Sequence, residues 1–340
     1  MKHILVIFTI LFFSLPSFSG NTDKEYKKIA ERHDVPQEAK VGNSNYPAEY
    51  WRVLLKYNNQ LHKFVSDMQK NRGAEKEALS KIAEVPRFYA RYNASVLENM
   101  QGFCDTLLME MGISELDINC SLHIVQHDDV NAYCVLTEEG FAMCITTGFL
   151  KRKGFTRDLL LGVVAHEFAH GIYHHALQQA YAEAKKTRQH NVFKIINVGI
   201  EVATSAANLY YASKGAPAIE NSGSDLDAID KNLDNKKELY IIAYSREQEY
   251  EADIVAYRFL QWIGKENVFP EMLRFLSSEY DLLYTEYSDH PTINSRLGLI
   301  KYLESHPEIS NKEIERLRRL EVEDEIEKKR KEKDQFNEIY

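Results

Sequence analysis

The chain has 340 residues, 44 % apolar and 27 % charged, the composition of an ordinary globular protein with length for one large domain plus extensions or for two domains. A formal net charge of −9 gives no electrostatic reason to expect nucleic acid as a partner.

Residues 1–20 differ from the rest. Lys2 and His3 precede an apolar run, Ile4 to Phe13, and small residues follow up to Ser19 and Gly20. This is the layout of a cleaved signal peptide, too short to span a bilayer, and it predicts an exported protein, periplasmic or secreted. Residues 21 to about 45 are polar, with Pro36 and Gly42, and read as a loose lead-in. From Ala48 to about Glu75, Trp51, Leu54, Leu55, Leu61, Phe64, Val65 and Met68 recur at helical spacing. The aromatics Tyr46, Tyr50, Trp51 and Tyr57 in this region read as packing rather than as a ligand platform. Residues 21–93 are therefore read as an N-terminal helical extension.

A further helix is predicted over Ala94–Met111, then a strand over Ile118–Val125. Asn131–Leu136 and Phe141–Thr146 read as a hairpin around Glu138-Glu139-Gly140, with Thr137 opposite Phe141 and Cys134 opposite Cys144. In an oxidising compartment the four cysteines then suggest two disulfides, Cys134–Cys144 and Cys104–Cys120; four buried free thiols are the other reading.

Thr156 is placed to cap a helix that begins with Asp158 and runs through Leu159-Leu160-Leu161 into His166-Glu167-Phe168-Ala169-His170. Residues i and i+4 share a helix face, so His166 and His170 can bind one zinc ion while Glu167 serves as general base for a water. His174 and His175, further along, read as structural. Residues 191–213 are mostly apolar and read as a packed helix rather than a membrane span; residues 215–237, rich in Gly, Asn, Asp and Ser, read as a surface loop that can act as a lid.

A catalytic zinc ion usually has three protein ligands and an open position. Ser245-Arg246-Glu247-Gln248 reads as a capping box opening a helix that ends near Gly264. Glu249 and Asp253 share a face of it, one suited to bind zinc and the other to orient an imidazole. Spacing alone leaves Glu247 and Glu251 as alternatives to Glu249, and a surface acidic helix as the bland reading. His290 stands before Pro291, a favoured first helical residue, which would set its ring at a helix start. A helix follows to about Ser305, and from Ser310 the chain is charge-dense with i,i+4 acid–base pairs, a solvated helical tail over 306–340.

Asn131-Ala132, Thr146-Thr147-Gly148, the His166-Glu167-x-x-His170 run, Ser245-Arg246-Glu247-Gln248-Glu249-Tyr250-Glu251-Ala252-Asp253, and Asp289-His290-Pro291 with Arg296 occur in an order that resembles the zinc metallopeptidases of the CAAX prenyl endopeptidases, the HtpX-type proteases and their soluble periplasmic relatives. The resemblance covers about residues 95–305, so the metallopeptidase domain is placed at 94–305. It implies an α+β, mostly helical, gluzincin-like domain with a small antiparallel sheet beside the active-site helix. It further implies one zinc ion per chain held by His166, His170 and Glu249, with Glu167 as base. Asp253, Arg296 and Asn131 correspond to supporting positions near the site, and His290 to a residue lining the cleft, here read as the oxyanion donor.

The predicted activity is endopeptidase cleavage of exported, unfolded or misassembled proteins, bound in extended form along the strand near Phe141–Thr147. The alternative is a polypeptide-binding chaperone or assembly factor that uses the same groove with little or regulated proteolysis. No membrane contact is expected, and nothing in the sequence sets an oligomeric state.

Overall fold

The computed structural model describes residues 23–43, 45–57, 59–84, 98–128, 130–137, 140–188, 245–283 and 290–339. The signal-peptide reading of residues 1–20, the apolar stretch 191–213 and the lid reading of 215–237 lie outside them. Among the described residues no helix is long and apolar enough to cross a membrane.

The helices are α1 (Asp23–His33), α2 (Pro47–Lys56), α3 (Asn59–Lys70), α4 (Arg72–Glu84), α5 (Glu98–Glu110), α6 (Thr147–Lys151), α7 (Arg157–Ile172), α8 (175–188), α9 (245–262), α10 (Val268–Leu283), α11 (Ile293–Ser305) and α12 (Lys312–Ile339). With a small sheet among them the fold is α+β and mostly helical, as expected. Thr156 caps α7 by accepting a hydrogen bond from the Leu159 amide at 3.3 Å. The helix behind it is apolar on every side, and all its residues from Leu159 to Ala169 are buried. It is the central rod of the core.

The sheet is mixed, not antiparallel: β1 (Cys120–Val125), β3 (Phe141–Thr146) and β2 (Ala132–Leu136) lie in the order β1-β3-β2, β1 parallel and β2 antiparallel to β3. Every residue of β3 is buried, which suits a central strand with no polar alternation. The substrate edge placed at Phe141–Thr147 is therefore closed by pairing on both sides. β2 is the edge strand, with no second partner among the described residues.

The hairpin register also differs by one residue. Leu136 pairs with Phe141, Cys134 with Met143 and Tyr133 with Cys144. Cross-strand partners share a face and neighbours alternate, so Cys134 and Cys144 point to opposite faces. The predicted disulfides Cys134–Cys144 and Cys104–Cys120 are not formed; all four cysteines are free thiols. Burial pushes Cys104 and Cys120 up to about 11 and Cys144 up to about 12, so all three stay protonated at neutral pH.

The helix expected from Ala48 to Glu75 is three helices, α2, α3 and α4, broken at Tyr57 and Asn71. The lead-in at 21–45 is not loose. α1 and a short 3-10 turn (Gln37–Ala39) are packed in, with Tyr26, Ala30, Val35 and Ala39 buried. Asp34 is fully buried and takes a two-pronged hydrogen bond from Arg258 of α9, Nε to Oδ1 at 3.0 Å and Nη2 to Oδ2 at 2.9 Å, with Lys40 Nζ 2.7 Å from Oδ2. Hydropathy hides such a segment because its anchors are charged.

Trp51 of α2 stacks on Phe259 of α9 and meets Phe168 of α7 edge-on, with ring centroids 4.5 and 4.8 Å apart. Its indole N–H donates to the Met111 carbonyl at 2.9 Å. The aromatics of α2 are thus packing, and α1 and α2 share one core with α7 and α9. A smaller apolar cluster joins α3 and α4 to α8 through Met68, Ala74, Ala78, Tyr181 and Ala184.

Candidate metal centre

α7 and α9 place the chemistry. One turn of α7 separates His166 from His170, and their Nε2 atoms lie 3.1 Å apart. Glu249 of α9 faces both, with Oε2 3.4 Å from His166 Nε2 and Oε1 3.3 Å from His170 Nε2. A tetrahedral zinc ion with bonds of about 2.0–2.1 Å sets ligand atoms about 3.3–3.4 Å apart; the imidazole pair is slightly closer than that, and each ring meets a different oxygen of Glu249 near that spacing. As neutral rings, the two imidazoles can each turn an Nε2 lone pair toward the same point. Glu249 Oε2 is buried and accepts no hydrogen bond. A divalent cation fits that donor set.

Charges around the trio are arranged in pairs. Burial would push His166 down, but Asp253 and Glu249 beside it raise it to about 10. Burial would raise Glu249, but His290, His170 and His166 hold its carboxyl well below the usual range. Asp253 is fully buried, with Oδ1 3.1 Å from His166 Nδ1. Arg296 of α11 clamps it, Nε donating to Oδ2 at 2.8 Å and Nη2 to Oδ1 at 2.5 Å. Against burial, Arg296 keeps the Asp253 carboxyl lowered. The orientation of one imidazole by a charged carboxylate thus has a named anchor.

The candidate ligands line one cleft, and Asp253 is buried behind it. Glu167, buried at its floor, and His290, at its rim with 43 % of its side chain exposed, both line it, as do Arg296 and Asn131. His290 Nδ1 lies 3.0 Å from Glu249 Oε2. Pro291 is not the first helical residue: Thr292 caps α11, accepting from the Ser295 amide at 3.2 Å, and His290 stands two residues before that cap. Asn131 tethers the start of β2, its N–H donating to Thr146 Oγ1 at 3.0 Å and its Oδ1 accepting from the Ala132 amide at 2.9 Å. Ala132, Tyr133, Cys134 and Leu136 of β2 form the opposite wall of the cleft.

Of the three alternatives on α9, only Glu249 meets the histidines of α7. Glu247 reaches Arg32 and His33 of α1, and Glu251 lies between His33 and His175. The acidic run is buried rather than a surface helix, from Gln248 through Asp253. Gln248 of the predicted capping box donates through Nε2 to the His175 carbonyl at 3.2 Å. At the other end Gly264, at φ +74, terminates the helix near the expected place.

His175 is the residue that sequence reasoning missed. Both His174 and His175 read as structural, but α7 ends at Ile172 and His174 turns left-handed at φ +54. That turn restarts the chain as α8 with His175 against His170, Nδ1 to Nδ1 at 2.9 Å. No periodic signal foretells such a break.

The family model of peptidase family M48 matches residues 98–322. The chain belongs to peptidase family M48. M48 enzymes are zinc metallopeptidases, so the family resemblance drawn from the motifs holds, and so does the fold class. The M48 match opens at α5 and takes in the sheet, α7, α9 and α11, hence both segments that supply the trio. No curated protein matches the chain.

Proposed function

We propose that this M48 member is a zinc-dependent endopeptidase of exported proteins that hydrolyses polypeptides lying extended along β2. The observation that supports it best is the convergence of His166, His170 and Glu249, from two helices, close enough for one atom of each to share a metal ion. Zinc in that position would supply Lewis-acid activation of water and of the scissile carbonyl.

The rest is work for the protein's own groups. Glu167 accepts a proton from the attacking water and returns it to the leaving amine. His290, at the rim, donates a hydrogen bond to the oxygen that gains charge in the transition state. Arg296 holds Asp253, and Asp253 holds the His166 ring. β2 is the edge strand among the described residues, and its outer side can offer backbone hydrogen bonds to an extended chain, which favours unfolded substrates over a strict side-chain sequence. Export rests on the pattern of residues 1–20.

Glu167→Gln tests this reading. It should lower kcat/KM on an unfolded protein substrate by about 10²–10⁴-fold while zinc content stays at the wild-type level. Retention of full hydrolysis by that variant would show that Glu167 is not the base. A cellular role that survives the same change would instead favour polypeptide binding without cleavage.

A further inference from the structure

The two candidate ligand imidazoles are anchored differently. His166 meets a carboxylate directly, at Asp253, whereas His170 Nδ1 faces another imidazole, His175 Nδ1, at 2.9 Å. His175 Nε2 lies 3.1 Å from Glu251 Oε2, and the second oxygen of Glu251 lies 3.0 Å from His33 Nδ1. His33, Glu251 and His175 are each at least nine-tenths buried. This line of side chains starts in α1, at a residue outside the region matched by the family model.

Taking His170 as a ligand through Nε2, the tautomers along the line are fixed. A neutral ring that binds metal through Nε2 carries its proton on Nδ1 and donates it to His175 Nδ1. His175 must then carry its own proton on Nε2, where Glu251 accepts. We infer that His33, Glu251 and His175 form a positioning relay for His170, so that the N-terminal helix α1 is part of the metal centre. The arm matches the other one. Arg296 braces Asp253 behind His166, and His33 braces Glu251 behind His175.

Two further features belong to this arm. His174 is the one non-glycine residue at positive φ among those described, and its turn is what brings His175 back beneath His170. A left-handed backbone at a non-glycine residue is strained, and such strain concentrates where a side chain must be aimed. α9 also uses separate positions for separate tasks: Glu249 and Asp253 meet α7, while Glu247, Glu251 and Arg258 meet the segment that runs from Arg32 to Lys40.

The inference rests on the ligand role proposed above for His170, and the test separates the two. Zinc affinity of the full chain is measured by chelator competition, and the visible spectrum of the Co(II)-substituted protein is recorded, for wild type, His170→Ala, His33→Ala, His175→Gln and Lys40→Ala. Outer partners of ligand histidines change metal affinity by about 10–100-fold, so His33→Ala and His175→Gln should each weaken zinc binding within that range and shift the Co(II) bands. Lys40→Ala loosens the same N-terminal segment without touching the relay, and should leave both readouts unchanged. Wild-type affinity and spectrum in His33→Ala and His175→Gln, or an equal loss in Lys40→Ala, would overturn the relay. Zinc binding by His170→Ala as tight as wild type would overturn the ligand role itself, and the relay with it. If His33→Ala does not fold, His175→Gln reads the same arm from within the matched region.

Discussion

Asp253 is fully buried and serves two partners at once, the His166 ring and the Arg296 guanidinium. Asp253→Asn keeps the shape but removes the charge that holds His166 in place. Zinc affinity should fall by about 10–100-fold with the fold retained, measured by chelator competition alongside circular dichroism. How legible each residue was in the sequence follows from geometry. His166, Glu167 and His170 could be read because four residues make about one helical turn, so the pattern carries its own three-dimensional meaning. Glu249 could not be separated by spacing from Glu247 and Glu251, since an acidic residue at every second position presents several faces of a helix; the family motif chose among them. His175 was hidden because a left-handed residue resets the helical phase. His33 was hidden because nothing local links it to a carboxylate 218 positions away in the chain, between residues 33 and 251.

The same contrast holds for the elements. α7 was readable from its cap and apolar run, and α11 from its end near Ser305. The sheet was only half readable: strand positions follow from composition, but a slip of one residue turns every side chain to the other face, and that slip decides the fate of the thiols. Contact between α7 and β3 is close at Gly171, where a Cβ would overlap the Phe141 ring. Gly171→Ala should therefore lower stability by about 1–3 kcal/mol, seen as an earlier urea midpoint with an unchanged m-value. His123 on β1 gives a pH signature. Partial burial holds its imidazole below the ordinary value of 6.5, so the folded state binds fewer protons there than the unfolded chain does. Stability from this site is present above pH 6.5 and is lost as pH falls below it. Melting temperatures of wild type and His123→Gln should diverge on acidification, with the wild type losing more.

On the scale of the whole molecule, the family match begins at residue 98 but the core does not. Tyr26, Trp51 and Leu54 from the N-terminal helices lie in one apolar cluster with Phe168 and Phe259, and Asp34 is buried against Arg258. Burial places α1 and α2 against α9, the helix that carries Glu249 and Asp253 towards α7. Beside that apolar contact, the attachment runs through ion pairs and two hydrogen bonds from an indole and a phenol, Trp51 to Met111 and Tyr50 to Val255, which hydropathy does not display. Catalysis by this chain requires a single shared coordination point built from α7 and α9. Its most direct test is metal analysis of the purified full chain, paired with hydrolysis of an unfolded protein before and after chelation, for wild type and Glu249→Ala. The wild type should carry one zinc ion per chain, lose activity on chelation and regain it with zinc, and Glu249→Ala should carry almost none. Stoichiometric, tightly held zinc in Glu249→Ala, or hydrolysis that survives complete metal removal, would contradict it.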